Sequence, residues 1–264
     1  MRPDRPLLRL AGALALAAGL AAPSFPLRAD GPREVRVAAA ADLRFALDEI
    51  LAAAAVPGVS PVVTYGSSGS FFAQIENGAP FDLYLSADAE YPRRLAEKGL
   101  ADGEVFLYAV GRIALWVPNG SKLDVAALGV RALLDPSVRK VAIANPRHAP
   151  YGRAAEAALK SLGVWEAVSG KVVLGENVAQ AAQFVESGAA DAGIVALSLA
   201  RSPRMRSAGR HVELPLASYP RMDQGGVVLR GARDPGAARA LRDALLGPRG
   251  REVLREYGFF LPDP

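Results

Sequence analysis

Four short segments of the chain combine small residues with hydroxyl or amide side chains, each just after a strand pattern. They are residues 38–42 (AAAAD), 66–70 (GSSGS), 145–152 (NPRHAPYG) and 175–178 (GENV). A helix pattern follows each segment, and the first N–H groups of a helix lack intrahelical acceptors and carry partial positive charge. Small residues and hydroxyl or amide side chains at helix starts favour the binding of an anion by hydrogen-bond donors. Each segment taken alone can also be a plain strand-to-helix turn, since Gly and Ser are ordinary turn residues.

The residues next to these segments indicate where the helices begin. Asp42 and Asn177 occupy positions typical of N-caps, because their short side chains can accept from first-turn amides. Pro150 stands near a helix start, where its missing N–H costs nothing. After residues 66–70, Phe71 and Ile75 continue an apolar helix face. The segments are therefore predicted to connect a strand to the amino end of a helix.

Short apolar strands alternate with amphipathic helices along the rest of the chain. This alternation predicts an α/β fold with largely parallel sheets, and residues 108–117 predict one long strand. Ligands of open α/β sheets bind outside the carboxyl ends of the strands, where the four segments can converge. Long strands near residues 110–117 and 224–229 could cross between two lobes.

Patterns for other chemistry are missing from the sequence. There is no Cys, and His148 and His211 are the two histidines. Residues 66–69 miss the spacing of a G-x-S-x-G nucleophile elbow, and no zinc-protease, P-loop or dinucleotide-binding motif occurs. We therefore predict a protein that is not an enzyme and has no cofactor, no catalytic residue and no cation site. An exported enzyme is the alternative from another class, and turnover abolished by substitution of Ser68 or His148 would support it.

The amino terminus has the order of a secretory signal. Basic residues precede an apolar, Ala-rich run that is too short to span a membrane, and small residues follow it. Residues 1–29 are predicted to be a signal peptide cleaved between residues 22 and 29, and a retained anchor is the alternative. The net charge of +4 comes from scattered residues, and the densest basic cluster, residues 201–210, contains no aromatic residue. We expect a soluble periplasmic protein that does not bind nucleic acid.

Several segments resemble the periplasmic molybdate-binding proteins, which are the substrate receptors of molybdate ABC transporters. The similarity lies in VAAAADLRFAL, YGSSGSFFAQIENGAPFDLYLSAD, VAIANPRHAPYGRAAEAAL, GENVAQAAQFVESGAADAGIVALS and YGFFLP, and it spans residues 34–262. The resemblance implies a two-lobe periplasmic-binding-protein-like α/β fold with a ligand cleft between the lobes. We expect a first lobe at residues 30–112, a second at 113–224 and a return segment to the first at 225–264.

The resemblance also implies the function and partners. The expected protein binds molybdate, and tungstate as well, through backbone amides and hydroxyls, delivers it to the membrane permease of an ABC transporter, and is a monomer. A receptor of the same fold for another oxyanion, an organic anion or a metal ion is the alternative.

The family's ligand-facing positions can be carried over residue by residue. They fall on Asp42, Ser68, Tyr151 and Val178, with Ala41 and Ser67 as neighbours. The resemblance implies that Ser68 gives its hydroxyl and amide, whereas Tyr151 and Val178 give backbone amides. Some family members add a tyrosine hydroxyl from a later strand, but the aligned residue here is Ala196.

Asp42 departs from the family pattern, which has Ser, Thr or Asn at this position. An ionised carboxylate about 4 Å from a unit negative charge costs about 4 kcal/mol at an effective dielectric of 20. We favour a side chain rotated to cap the amides of Arg44 or Phe45, with affinity that changes little between pH 5 and pH 8. The alternatives are a protonated carboxyl that donates to the anion, and a cleft that prefers a cationic or hydroxyl-bearing ligand.

Overall fold

Short apolar runs form the strands of the protein, for which a computed structural model describes residues 33–262. The strands are β1 (Arg33–Ala40), β2 (Val59–Gly66), β3 (Leu83–Ser86), β4 (Phe106–Gly111), β5 (Ile113–Pro118), β6 (Val141–Ala144), β7 (Val172–Gly175), β8 (Ala192–Ala196), β9 (Gly209–Glu213) and β10 (Met222–Val228). The α-helices are α1 (Arg44–Ala54), α2 (Ser68–Glu76), α3 (Glu90–Glu97), α4 (Val125–Leu128), α5 (Pro150–Ser161), α6 (Trp165–Val168), α7 (Val178–Glu186), α8 (Leu197–Ala200), α9 (Pro203–Ala208), α10 (Pro235–Leu246) and α11 (Pro248–Glu256). Short 3-10 helices cover Ala41–Leu43, Gly129–Leu134, Ser169–Lys171 and Leu216–Ser218.

The strands form two mixed sheets of five strands each. The first has the order β2-β1-β3-β10-β4, with β1 parallel to β2 and β3 and with β10 antiparallel to β3 and β4. The second has the order β7-β6-β8-β5-β9, with β6 parallel to β7 and β8 and with β5 antiparallel to β8 and β9. Each sheet with its helices is one lobe of the predicted α/β fold, which is confirmed. The prediction of largely parallel sheets is wrong, because β10 and β5 run antiparallel to both of their neighbours.

The chain passes from the first sheet to the second at Arg112, which separates β4 from β5. The prediction of one strand over residues 108–117 is therefore wrong, because the apolar run continues through the point where the chain changes sheets. The Arg112 side chain pairs with Glu213 and lies over the Phe260 ring at 4.3 Å. The chain returns between β9 and β10, and the predicted lobe boundaries at residues 112 and 224 stay a prediction.

Three apolar clusters form the cores of the two lobes. In the first lobe, one face of the sheet packs against α1, α10 and α11, and the other against α2 and α3. The core of the second lobe surrounds its sheet and extends to Ala40, Ala41 and Ala87 at the strand ends of the first. The two lobes therefore touch where the strands of the first sheet end.

The predicted signal peptide, residues 1–29, lies outside the described residues. Over residues 33–262, none of the helices has the length and apolar character needed to cross a membrane.

Candidate functional site

The four segments singled out in the sequence meet at one small cavity between the lobes. Its lining includes Asp42, Ser68, Tyr151 and Val178, so the structure brings all four predicted ligand-facing residues together. They are at most 3% exposed. The 3-10 helix Ala41–Leu43 and helices α2, α5 and α7 all begin here. Their partial positive charges converge on a space of about 10 Å³, which holds about one water molecule.

Local sequence decides which first-turn amides stay available in α5 and α7. Pro150 is the first residue of α5 and has no N–H, so Tyr151 supplies the first amide of that helix. In α7 the Asn177 side chain accepts from the amides of Ala179 and Gln180, both at 3.0 Å. Val178, the first residue of α7, keeps an amide that this cap does not use. The predicted N-cap role of Asn177 matches these hydrogen bonds.

Ser68 lies at the first position of α2 and is held from two sides. Its Oγ accepts from the Ala87 amide at 2.9 Å, and its carbonyl accepts from the Tyr84 hydroxyl at 2.7 Å. Because the Oγ acts as an acceptor toward Ala87, its own hydrogen remains free to be donated to a ligand. Ser68 is therefore placed to donate into the cavity.

Asp42 does not adopt the predicted N-cap conformation. Its Oδ2 accepts from the Tyr151 hydroxyl at 2.8 Å and from Gln224 Nε2 at 2.7 Å, and no side-chain cap bond forms at the starts of Ala41–Leu43 or α1. The prediction of a cap on Arg44 or Phe45 is wrong, because these two buried donors approach the carboxyl group from the other lobe and from β10. Asp42 Oδ1 is buried and has no hydrogen-bond partner among the described residues.

The burial of this cluster shifts the titration of its acidic groups. Burial raises the pKa of Asp42 to about 6, although hydrogen bonds from Gln224 and Tyr151 act in the opposite direction. Burial, and then the nearby Asp42 charge, also raises the pKa of Tyr151 well above its usual value, so this hydroxyl stays a donor. The site therefore contains a carboxyl group that changes its charge near neutral pH.

A second set of contacts joins the lobes at His148, in the loop before α5. Its carbonyl oxygen accepts from the Gly69 amide at 2.9 Å and from Ser67 Oγ at 2.5 Å. Its Nδ1 lies 3.0 Å from Ser67 Oγ, and its Nε2 lies 3.5 Å from a Glu176 carboxylate oxygen. These contacts make His148 a connection between the lobes.

Two further contacts close the cleft around the cavity. Arg153 of α5 pairs with Asp88 of the first lobe at 2.6 Å. Ser198 Oγ of α8 donates to the Asp42 carbonyl at 2.7 Å. The structure is therefore a closed arrangement in which the cavity is shut off on several sides.

A larger cavity of about 490 Å³ lies next to the small one and shares Ala41 and Asn177 with its lining. Arg44 and Arg204 are among its lining residues. Arg204 pairs with Glu186, whereas Arg44 is exposed and forms no ion pair with any residue in the range 33–262. This cavity offers a positively charged approach to the inter-lobe site.

Sequence reasoning missed three parts of the site: Gln224, the Tyr151 side chain and the His148 carbonyl. Gln224 stands at the polar start of β10, next to Asp223, and no sequence signal marked it as part of the site. No group of three or more His, Asp or Glu residues within residues 33–262 is arranged to hold a metal ion.

Two lobes that close over a cavity lined by helix amino ends define a solute-binding protein of the periplasmic-binding-protein fold. Comparison with known proteins agrees with this class. The profile of the family described as bacterial extracellular solute-binding protein matches residues 35–260. The chain belongs to this family, whose members bind solutes and are not enzymes.

Named relatives are more specific. The chain is 38% identical to the molybdate-binding protein ModA of Azotobacter vinelandii over 86% of this chain and 90% of that protein. It is also 38% identical to ModA of Rhodobacter capsulatus, over 94% of each chain. The solved structure of the Azotobacter vinelandii periplasmic molybdate-binding protein superposes with a TM-score of 0.80 at 30% identity, and the match covers 87% of this chain and 100% of that one.

Proposed function

We propose that this protein is a periplasmic receptor that binds molybdate, and tungstate as well, and delivers it to the permease of an ABC transporter. The names of its relatives support molybdate as the ligand. The observation that carries the proposal is the meeting of four helix starts at one buried cavity. In this proposal the mature protein is a soluble monomer.

The donors of the cavity suit an oxyanion. The Ser68 hydroxyl and the amides of Tyr151 and Val178 come from both lobes, and the amide of Asp42 belongs to the 3-10 helix that begins at the same place. Hydrogen bonds to a charged group contribute about 1.5–3 kcal/mol each. Several such bonds support the roughly 8–12 kcal/mol of micromolar-to-nanomolar binding after the cost of association, with no metal or countercharge.

The four predicted ligand-facing residues that line the closed cavity are at most 3% exposed, so an oxyanion enters only when the lobes separate. Contacts that form when the lobes meet again, such as those at His148, then favour the closed form. Binding by hinge closure follows from donors that lie on both sides of the cleft.

One observation favours a second candidate ligand. The Asp42 carboxylate is an acceptor when ionised, and it would accept a hydrogen bond from an oxyanion that still carries a proton. A receptor of the same fold for a protonated oxyanion such as hydrogen phosphate is therefore the alternative.

Isothermal titration of the mature protein with molybdate, tungstate, sulfate and phosphate tests the proposal. We expect molybdate and tungstate to bind at micromolar or lower concentration and sulfate and phosphate to bind far more weakly. Tight binding of phosphate without molybdate binding would contradict the proposal and support the alternative.

A further inference from the structure

Only one of the two buried carboxyl oxygens of Asp42 accepts hydrogen bonds from the residues around it, whereas an ionised carboxylate can accept on both oxygens. Oδ2 accepts two hydrogen bonds, from the Tyr151 hydroxyl and from Gln224 Nε2, which also lies 3.1 Å from the Tyr151 oxygen. Oδ1 is buried and forms no hydrogen bond with any residue in the range 33–262. A neutral carboxylic acid has one oxygen that only accepts and one O–H that donates. The environment of Oδ2 is that of the accepting oxygen, so Oδ1 is the oxygen left to carry a proton.

The charges around Asp42 offer it no cationic partner. The groups that bear on its titration are the hydrogen bonds from Gln224 and Tyr151 and the backbone amides of Asp42 itself and Leu43. Burial, and less strongly the charge of Asp42, raises the pKa of two titratable neighbours, Tyr108 and Tyr151. Both hydroxyls therefore stay neutral. Within residues 33–262, no Lys, Arg or His forms an ion pair with Asp42. Helix amino ends are therefore the main source of positive potential at the carboxyl group.

A bound oxyanion would compete with the Asp42 charge for this potential. The cavity that Asp42 lines also contains the donors from Ser68, Tyr151 and Val178. Two negative groups that share one buried site raise the pKa of the group that can still take up a proton. Burial raises the pKa of Asp42 to about 6, and the charge of a bound oxyanion moves it further toward the neutral acid.

We propose that this site takes up one proton together with a fully ionised oxyanion, and that Asp42 carries this proton on Oδ1. The inference rests on the proposed function. The proton comes from solvent, the O–H bond forms at Oδ1, and the oxyanion stays a dianion that gains one hydrogen-bond donor. Gln224 is a positioning residue, because its Nε2 keeps Oδ2 as the acceptor.

Asp42 thereby becomes a specificity-determining residue. A fully ionised oxyanion such as molybdate requires a neutral Asp42, whereas an oxyanion that brings its own proton can donate it to the ionised carboxylate. The direction in which molybdate affinity changes with pH follows from the protonation of Asp42 before the oxyanion binds. Affinity for molybdate is highest where Asp42 is already protonated, below about pH 6, and falls about tenfold per pH unit above it. Between pH 5.5 and pH 7.5 the binding constant should fall about 20- to 30-fold.

Calorimetry with sodium molybdate at pH 7.5, in buffers of different ionisation enthalpy, counts the protons taken up. We expect about one proton per molybdate for the wild-type protein and almost none for Asp42→Asn, whose affinity should be independent of pH between 5.5 and 7.5. His148→Gln is the control for the histidine at the neighbouring contact between the lobes, and it should still take up one proton for each molybdate bound. Circular dichroism verifies that each variant folds.

The outcomes separate this inference from the proposed function. Tight molybdate binding without proton uptake would overturn the inference and leave the molybdate receptor intact. Proton uptake that persists in Asp42→Asn would assign the proton to another group and also overturn it. Absence of molybdate binding by the wild type at every pH between 5 and 8 would overturn both. Tyr151→Phe provides a second variant, because loss of one donor raises the pKa of Asp42 and should move the onset of the affinity loss to higher pH.

Discussion

Gly69 provides a sharp test of lobe closure. It lies in the first turn of α2, and its amide donates to the His148 carbonyl of the other lobe at 2.9 Å. A Cβ added at Gly69 would lie 2.5 Å from that carbonyl oxygen, whereas ordinary contacts begin at 3.4 Å. The oxygen belongs to the backbone and cannot move alone, so Gly69→Ala should hold the lobes about 0.9 Å further apart at this point.

The size of the effect follows from the contacts that closure would lose. The His148 carbonyl accepts from Gly69 and from Ser67 Oγ, and each neutral hydrogen bond contributes about 0.5–1.5 kcal/mol. Losing both costs about 1–3 kcal/mol of closing free energy, which weakens ligand binding about 5- to 150-fold. The added Cβ would also lie 2.8 Å from the Tyr91 hydroxyl of the same lobe, a side-chain end that can shift, so the free energy of unfolding should fall by no more than the same amount, about 1–3 kcal/mol.

The assay combines titration calorimetry, small-angle scattering and thermal unfolding of the wild type, Gly69→Ala and Gly120→Ala. A Cβ at Gly120 meets nothing within 4 Å, so this control should bind molybdate like the wild type. With molybdate, the radius of gyration of Gly69→Ala should stay above that of the wild type. Wild-type affinity and an unchanged radius in Gly69→Ala would refute the reasoning that closure uses the His148 contacts.

Two further predictions concern the ligand donors and the approach to the site. Ser68→Ala should weaken molybdate binding about tenfold or more, as calorimetry measures, because it removes a donor to a charged group. It should also lower the free energy of unfolding by about 1–3 kcal/mol, as thermal unfolding measures, because the buried Ala87 amide loses its acceptor. Arg44→Gln should slow molybdate association at low salt with little change in dissociation, because Arg44 is an exposed cation beside the site that forms no ion pair within residues 33–262. Arg255→Gln, at an exposed cation that lines neither cavity, should leave the stopped-flow association rate unchanged.

The resemblance to the periplasmic molybdate-binding proteins implied the ligand-facing positions, and local sequence predicted the strand-to-helix turns that hold them. Ser68, Tyr151 and Val178 each stand at the start of a helix that follows a strand, and nearby residues such as Pro150 fix those starts. Because parallel strands of a sheet expose their carboxyl ends on one side, such starts converge without detailed knowledge of the packing. The meeting of these helix starts at one cavity was predictable because it depends on backbone direction.

The conformation of Asp42 could not be predicted in this way. Its partners Tyr151 and Gln224 are 109 and 182 residues away in the chain. Gln224 reaches the site because β10 returns to the first sheet antiparallel to β3 and β4. Local propensity favours an aspartate as a helix cap, but two buried donors from distant segments outcompete that local preference.

The hydrophobic pattern of the sequence also does not indicate that the chain changes sheets at Arg112. Residues 108–117 form an apolar run on both sides of Arg112, and periodicity does not distinguish one long strand from two strands that belong to different sheets. The difference lies in which strands pair with β4 and β5, and this is determined by tertiary packing.

A crystal structure of the mature protein grown with tungstate, with anomalous scattering used to locate the metal, tests directly whether the oxyanion binds between the lobes. We expect a single strong anomalous peak in the cavity between the lobes, with oxyanion atoms within hydrogen-bond distance of the Ser68 hydroxyl and of the Tyr151 and Val178 amides. A peak elsewhere, or an empty cavity at saturating tungstate in a protein that binds it in solution, would show that this cavity is not the binding site.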